Sequence, residues 1–224
     1  MERFMVTQSL LSAWAYCFDC YEGDEDDAMA AFISTLNREP TEQTEAMLNG
    51  IEFEKLCYSI ANGRFVPQFT ASGGEEPNTG GVMGYGKYPK NYTGAKRVAE
   101  IIKGGPFQVK ASREIEVGGM KFLVYGILDA LKAGTIYDVK YMNKSMNSTD
   151  VYGKYLESAQ HPAYFYLVPE ATDFKYLLSD GDDIYIEHYR REDTRYIGDI
   201  IAEFVDSLRG WNLLDTYKEK WLAL

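Results

Sequence analysis

The strongest constraint on the fold comes from residues 107–142, where apolar and polar side chains alternate over three runs separated by two short turns. The runs are FQVKASREIEV, KFLVYGILDAL and TIYDVKYM, and the turns contain Gly118-Gly119 and Ala133-Gly134. Alternation with a period of two, interrupted by glycine turns, predicts three strands of an antiparallel meander.

Helical patterns surround these strands, at residues 7–18, 41–62, 95–103, 149–167 and 194–211, and a further hairpin is centred on residues 179–183. A chain of 224 residues can bury one substantial core. We therefore predict a single domain over residues 1–224, of α/β class, with a central mixed sheet built on the meander and flanked by helices.

The net charge of −11 is unevenly distributed along the chain. Residues 1–60 carry twelve acids and three bases, whereas residues 87–144 carry eleven bases and five acids. This asymmetry predicts one electropositive face, which a nucleic-acid partner requires. No run of 18 apolar residues and no signal-peptide pattern is present, so we expect a cytoplasmic protein without membrane partners.

Three charged residues interrupt the last two strands of the meander. If the turn between them consists of Ala133 and Gly134, Asp129 stands opposite Asp138, and Lys140 shares a face with Asp138. Two facing carboxylates repel each other unless a cation neutralises them, and oxygen ligands without histidine or thiolate favour Mg²⁺ or Mn²⁺. The alternative is a salt bridge from Lys140 to either aspartate.

A fourth acid lies on the predicted helix over residues 41–62. At 100° per residue, Glu54 falls in one stripe with Met47, Ile51 and Tyr58, so its carboxylate sits on an otherwise apolar face. It is either a helix-face glutamate paired with an arginine or a carboxylate that points into a site.

The basic residues concentrate around a Gly-rich stretch at residues 70–94. Residues 85–97 contain four bases, no acids and three tyrosines, which suits backbone contact combined with base stacking. A solvated loop is the alternative. The residues that we expect to contact nucleic acid in and after this stretch are Lys87, Lys90, Tyr92, Lys96, Arg97 and Lys144.

Four motifs in this order resemble the PD-(D/E)XK nuclease superfamily, in particular its RecB-like branch of phage-type exonucleases. They are GIEFE at residues 50–54, the aspartate of YGILDA, YDVKY at residues 137–141, and QHPAY at residues 160–164. The resemblance implies a restriction-endonuclease-like core. It also implies that the metal is held by Glu54, Asp129, Asp138 and the carbonyl of Val139.

The same resemblance implies roles for three further side chains. Lys140 would position and help to deprotonate the attacking water, and Gln160 would orient that lysine or the DNA end. Tyr164 shares a helix face with Gln160, where it either contacts DNA or packs. Cys17 matches the first of four cluster-binding cysteines found in some members, but the three late ones are absent, so we expect no iron–sulfur cluster.

The function implied is a metal-dependent DNA nuclease, an exonuclease of recombination or repair in preference to an endonuclease. Its partners would be linear duplex or single-stranded DNA, a single-strand annealing protein and further copies of the chain. Two alternatives remain open, namely a catalytically inactive DNA-binding subunit with the same fold, and an endonuclease or RNase of the same superfamily.

Overall fold

The computed structural model describes residues 2–65, 91–143, 146 and 151–223. Six strands lie within these residues: β1 (Arg3–Thr7), β2 (Phe107–Val117), β3 (Met120–Lys132), β4 (Thr135–Tyr141), β5 (Asp173–Ser179) and β6 (Ile184–Arg190). Seven α-helices accompany them: α1 (Gln8–Asp19), α2 (Glu25–Leu36), α3 (Glu45–Ala61), α4 (Tyr92–Ile102), α5 (Gln160–Leu167), α6 (Ile197–Gly210) and α7 (Leu214–Lys220).

The strands form one mixed sheet. Strands β2, β3 and β4 make the antiparallel meander that the sequence predicts. Two further pairings are parallel, β1 with β3 and β5 with β4, and β6 pairs antiparallel with β5 at the edge of the sheet. The meander therefore describes three strands and not the whole sheet. The parallel pairs join distant parts of the chain, which local alternation cannot indicate.

One edge of β3 is shared by two strands. Strand β2 runs along the other edge, whereas on this edge β1 pairs with Lys121–Tyr125 and β4 pairs with Ala130–Lys132. The four residues between these pairings, Gly126 to Asp129, have neither β1 nor β4 as a partner. We call this gap in the edge of β3 the fork.

Helices cover both faces of the sheet. The larger core packs α1, α2, α5, α6 and α7 against one face, and a smaller core packs α3 and α4 against the other. Successive side chains of a strand point to opposite faces, so β2 to β6 supply side chains to both cores, whereas β1 contributes to the larger core only. The result is a three-layer α/β arrangement with the fork in its middle layer.

Strands β2 and β3 change faces together at the fork. Val109 packs in the larger core and Phe107 in the smaller one, although residues two apart on a regular strand share a face. Between them Gln108 has a positive φ of 52°, and β3 makes the same change at Asp129. The pleat is thus interrupted at one step, where Gln108 and Asp129 form no backbone pair.

Several elements differ from those predicted. The acidic run at residues 22–27 is not entirely loop, because Glu25 begins α2 and three acids occupy the positive end of that helix. Strand β1 and helices α2 and α7 were not predicted. The helix predicted over residues 149–167 begins only at Gln160, after turns that contain Gly153 at a φ of 68°. No described helix is both long and apolar enough to cross a membrane.

Candidate functional site

Strand β4 and helix α5 bring together a first set of side chains, which we call the α5 group: Asp138, Lys140 and Gln160. Asp138 is 2% exposed, and its Oδ1 accepts a hydrogen bond from Gln160 Nε2 at 2.5 Å. The Lys140 ammonium lies 2.7 Å from Asp138 Oδ2 and forms an ion pair with it, so both carboxylate oxygens face a protein donor. Burial lowers the pKa of Lys140, but the two aspartates outweigh it and leave that pKa above its ordinary value.

Helix α5 is fixed against the fork by Tyr164, one turn after Gln160. Its hydroxyl donates to the carbonyl of Ile127 at 2.9 Å, a residue that has neither β1 nor β4 as a partner on this edge of β3. Gly126 makes room for the ring, because a Cβ there would lie 2.6 Å from Tyr164 Cε1. Tyr164 is 5% exposed and burial raises its pKa to about 12. Tyr164 therefore packs in the core, which is one of the two alternatives given above, and its contact with nucleic acid stays a prediction.

Asp129 occupies the fork itself. The turn of Ala133 and Gly134 has positive φ at both residues, and the pairing of Ala130 with Tyr137 follows from it, which confirms the predicted register. One step further the strands separate, and Asp129 Oδ2 accepts a hydrogen bond from the Val139 N–H at 2.8 Å. A side-chain carboxylate therefore takes the place of a strand carbonyl.

The acidic surroundings of Asp129 disfavour its charged form. Burial is the largest cause, and repulsion from Asp138 and Glu54 adds to it, so the pKa of Asp129 is well above its ordinary value. The Val139 N–H and the Lys140 ammonium act in the opposite direction but do not compensate. Asp129 is thus repelled by one carboxylate on β4 and by another on α3.

Helix α3 and strand β2 supply a second set, which we call the α3 group: Glu54, Tyr58 and Gln108. Tyr58 donates to Glu54 Oε1 at 2.5 Å. Gln108 Nε2 donates to the same oxygen at 2.6 Å and to the Tyr58 hydroxyl at 2.9 Å, and it lies 3.4 Å from Asp129 Oδ1. Burial, followed by repulsion from Asp129, raises the pKa of Tyr58. This group links α3 to Asp129.

The buried face of α3 is not the stripe that we predicted. Phe53, Cys57 and Ala61 are the buried residues, whereas Met47 is 48% exposed. Glu54 lies at the margin of this face, and its partners are Tyr58 and Gln108 instead of an arginine. A position at the margin leaves the carboxylate accessible from the fork.

The sequence-based argument did not identify Gln108 or the hydroxyl of Tyr58. A polar residue on an alternating strand is unremarkable by itself. The signal lay in the Gly118-Gly119 turn, which has positive φ at both residues. A two-residue turn there sets Gln108 opposite Asp129, by the same counting that sets Asp129 opposite Asp138.

A cavity of 330 Å³ opens beside the α5 group. Lys140 and Gln160 form part of its wall, and α1 forms another part through Ser12 and Tyr16. Lys154 contributes a second positive charge, and Tyr16 is 47% exposed. Asp19 and Glu157 also line the cavity, so two lysines, two acids and an aromatic ring meet next to the buried aspartate.

The predicted nucleic-acid residues fall into two sets. Lys87, Lys90 and Lys144 lie outside the described residues. Tyr92 is the first residue of α4, with its ring 5.3 Å from that of Phe65. Lys96 and Arg97 are exposed on the same helix, and Arg97 forms an ion pair of 2.8 Å with Asp183. Part of the positive charge of α4 is therefore neutralised within the protein.

The acids are turned towards protein donors. Within residues 2–65, 91–143, 146 and 151–223, no three carboxylate, imidazole or thiol groups are arranged as ligands of a single metal ion. All three cysteines are free thiols, and burial raises the pKa of Cys57. The side-chain atoms near the fork that could bind a metal ion are oxygen atoms, and the Gln108 amide lies beside them.

Comparison with known proteins gave distant structural likenesses only. No protein-family model and no curated protein matches the chain. Among solved structures, the chain is similar to SSO0001, with 15% identity and a TM-score of 0.48 over 95% of this chain and 78% of that one. It is also similar to LHK-Exo in complex with dAMP, with 14% identity and a TM-score of 0.44 over 96% and 92%. Scores this low do not establish a common fold, so the geometry of the site carries the proposal below.

Proposed function

We propose that the chain is a metal-dependent DNA nuclease of the PD-(D/E)XK type, with a restriction-endonuclease-like core. The observation that carries this proposal is the fork, where Asp129 lies between Glu54 on α3 and the Asp138–Lys140 pair on β4. The carboxylates of α3 and β4 approach Asp129 where β3 has neither β1 nor β4 as a partner on this edge. A lysine beside the acids can stabilise the negative charge that develops on a phosphate during hydrolysis of a phosphodiester.

The proposed metal ligands are Glu54, Asp129, Asp138 and the carbonyl of Val139. Two observations support their fit to Mg²⁺ or Mn²⁺. The proposed side-chain ligands are all carboxylates, and repulsion from Asp138 and Glu54 contributes to the raised pKa of Asp129. A divalent cation would relieve that repulsion, and oxygen donors suit hard ions. When bound, the metal would polarise the phosphate and lower the pKa of a bound water.

The α5 group would act on the substrate from the cavity side. The Lys140 side chain is 31% exposed, so its ammonium can reach both a phosphate oxygen and the attacking water while it stays paired with Asp138. Gln160 holds the other oxygen of Asp138 and so fixes the direction of the carboxylate. The cavity with Lys154 and Tyr16 would receive the nucleic-acid strand.

We further propose that the enzyme is an exonuclease of phage-type recombination or repair. In this role it would degrade linear DNA, cooperate with a single-strand annealing protein, and associate with copies of itself.

The decisive experiment uses linear and circular duplex DNA with Mg²⁺ or Mn²⁺, and with EDTA as the negative condition. We expect the wild type to degrade linear DNA, and Asp138→Ala and Lys140→Ala to lose at least a hundredfold in rate. Glu52→Ala, an exposed acid two residues before Glu54, is the matched control and should keep full activity. Binding of DNA without cleavage under every metal condition would instead support the inactive DNA-binding subunit.

Two further results would change the substrate or the mode of action. Cleavage of circular DNA would favour the endonuclease, and cleavage confined to RNA would favour the RNase. A wild type that neither cuts nor binds any nucleic acid would refute the proposal.

A further inference from the structure

We propose that Gln108 is an additional metal ligand, which reaches the ion through its side-chain carbonyl after a half-turn of the amide. The inference rests on the proposed function, because it concerns the same ion, but it adds a neutral residue from β2 that the four motifs do not contain. Three oxygen atoms surround the Gln108 amide, from Glu54, Tyr58 and Asp129.

The spacing of these atoms is the first observation in favour. In an octahedral shell with metal–oxygen distances of about 2.1 Å, adjacent ligand atoms lie about 3 Å apart. The Gln108 amide nitrogen lies 2.6 Å from Glu54 Oε1 and 3.4 Å from Asp129 Oδ1, which brackets that value. The amide nitrogen is therefore within hydrogen-bonding distance of both carboxylates, and a ligand atom at this place would also suit a shell that contains them.

The chemistry of the amide explains the half-turn. Without a cation between the carboxylates, Gln108 turns its NH₂ group towards them, because carboxylate oxygens accept hydrogen bonds. A cation between the carboxylates reverses this preference, since it attracts the amide oxygen and repels the NH₂ group. Rotation about the last side-chain bond exchanges the two atoms without moving the backbone, and amide carbonyls are ordinary ligands of hard cations.

The backbone of Gln108 is the second, independent observation. Its φ of 52° is unusual for a non-glycine residue, and it coincides with the step at which β2 and β3 change faces. The register places Gln108 opposite Asp129, but the two form no backbone pair. The strain is confined to the step that directs this side chain towards Glu54 and Asp129.

The test measures the affinity of Mn²⁺ by calorimetry and by the electron paramagnetic resonance signal of free Mn²⁺, without DNA. Gln108→Leu keeps the size but removes both amide atoms, and we expect about a tenfold loss of affinity. Gln108→Asn should lose a similar factor, because the shorter side chain does not reach, and asparagine tolerates the positive φ. Gln43→Leu, at an exposed glutamine before α3, is the matched control and should bind Mn²⁺ as the wild type does.

Gln108→Glu separates a ligand from a mere hydrogen-bond donor. A glutamate cannot donate to Glu54, but it can ligate the metal, so we expect affinity at or above that of the wild type. In EDTA the same variant should melt below both the wild type and Gln108→Leu, because it adds another carboxylate to an acidic cluster.

The outcomes are distinguishable from failure of the proposed function. If the wild type binds Mn²⁺ and both Gln108→Leu and Gln108→Asn bind it equally well, Gln108 is not a ligand, although the nuclease proposal survives. Gln108→Glu binding no better than Gln108→Leu would also overturn the inference, since Gln108 would then act only as a donor. A wild type that binds no Mn²⁺ would remove the metal dependence itself.

Discussion

The two groups that flank Asp129 differ in how their charges are satisfied. In the α5 group, a buried carboxylate has a lysine on one oxygen and an amide on the other. In the α3 group, Glu54 accepts hydrogen bonds from two neutral donors, the Tyr58 hydroxyl and the exposed Gln108 amide. These donors do not cancel the repulsion between Glu54 and Asp129. The α5 group therefore contains its own cation, whereas the α3 group contains only neutral donors. The carboxylates of both groups repel Asp129, and Asp138 does so more strongly than Glu54.

This difference has a consequence for stability. Removal of a charge from the α5 group should weaken the fold, because its partners are left without acceptors. Removal of a charge from Asp129 should strengthen the metal-free fold, because it relieves repulsion. The free energy of unfolding should therefore fall when Asp138 loses its charge and rise when Asp129 does, although the proposed chemistry needs both acids.

The largest effect on stability is expected from Asp138→Ala. The change leaves the Lys140 ammonium and the Gln160 amide without their acceptor, and loss of one partner of a buried ion pair costs about 3–5 kcal/mol. Because Lys140 is 31% exposed and repulsion at Asp129 is relieved, we expect a loss of roughly 2–3 kcal/mol. Urea unfolding in EDTA measures it, with Glu52→Ala as the control. A loss no greater than that of the control would show that the pair adds nothing to the fold.

Gly126→Ala compares the packing of the two groups. The new methyl group would lie 2.6 Å from Tyr164 Cε1 and 3.0 Å from Leu167 Cδ1, so α5 must shift, and we expect a loss of about 1.5 kcal/mol. Gly50→Ala on α3 is the matched control. It meets nothing within 4 Å and should stabilise the protein by about 0.5 kcal/mol through helix propensity. Equal effects of the two changes in thermal unfolding would contradict the packing difference.

Asp129→Asn should stabilise the metal-free protein by about 1 kcal/mol at neutral pH while it abolishes the proposed cleavage. The folded-state pKa of Asp129 is raised, so the folded protein holds this proton more tightly than the unfolded chain does. The wild type therefore loses stability as pH rises from about 4 through that raised pKa. The advantage of the variant should grow over the same window, measured by urea unfolding in EDTA. An advantage that does not change between about pH 4 and pH 8 would exclude repulsion as its cause.

The smallest effect is expected from Tyr58→Phe. Phenylalanine keeps the ring that stacks on Phe107 at 5.0 Å but removes the hydroxyl that donates to Glu54. Since Gln108 still donates to that oxygen, the expected loss is about 0.5 kcal/mol. Tyr21→Phe, at a residue 82% exposed, serves as the control. A loss well above 1 kcal/mol would mean that the hydroxyl, and not the amide, holds Glu54 in place.

The sequence predicted the part of the site that depends on local counting. A two-residue turn at Ala133-Gly134 sets the register of β3 against β4, and with it the approach of Asp129 to Asp138. The positions of Glu54 on α3 and of Gln160 on the helix after β4 also follow from period and motif. The predicted extent of that helix was wrong, because turns around Gly153 precede it.

The tertiary structure alone decided how these residues meet. The parallel pairing of β1 with β3 joins residues more than a hundred positions apart, and it creates the fork by ending at Tyr125. The fork lets the carboxylates of α3 and β4 act on Asp129, and it buries Tyr164 against a backbone carbonyl. It also coincides with the strained step at Gln108. Local pattern specifies the side of a strand on which a residue stands, but a gap in a sheet depends on which distant strands compete for one edge.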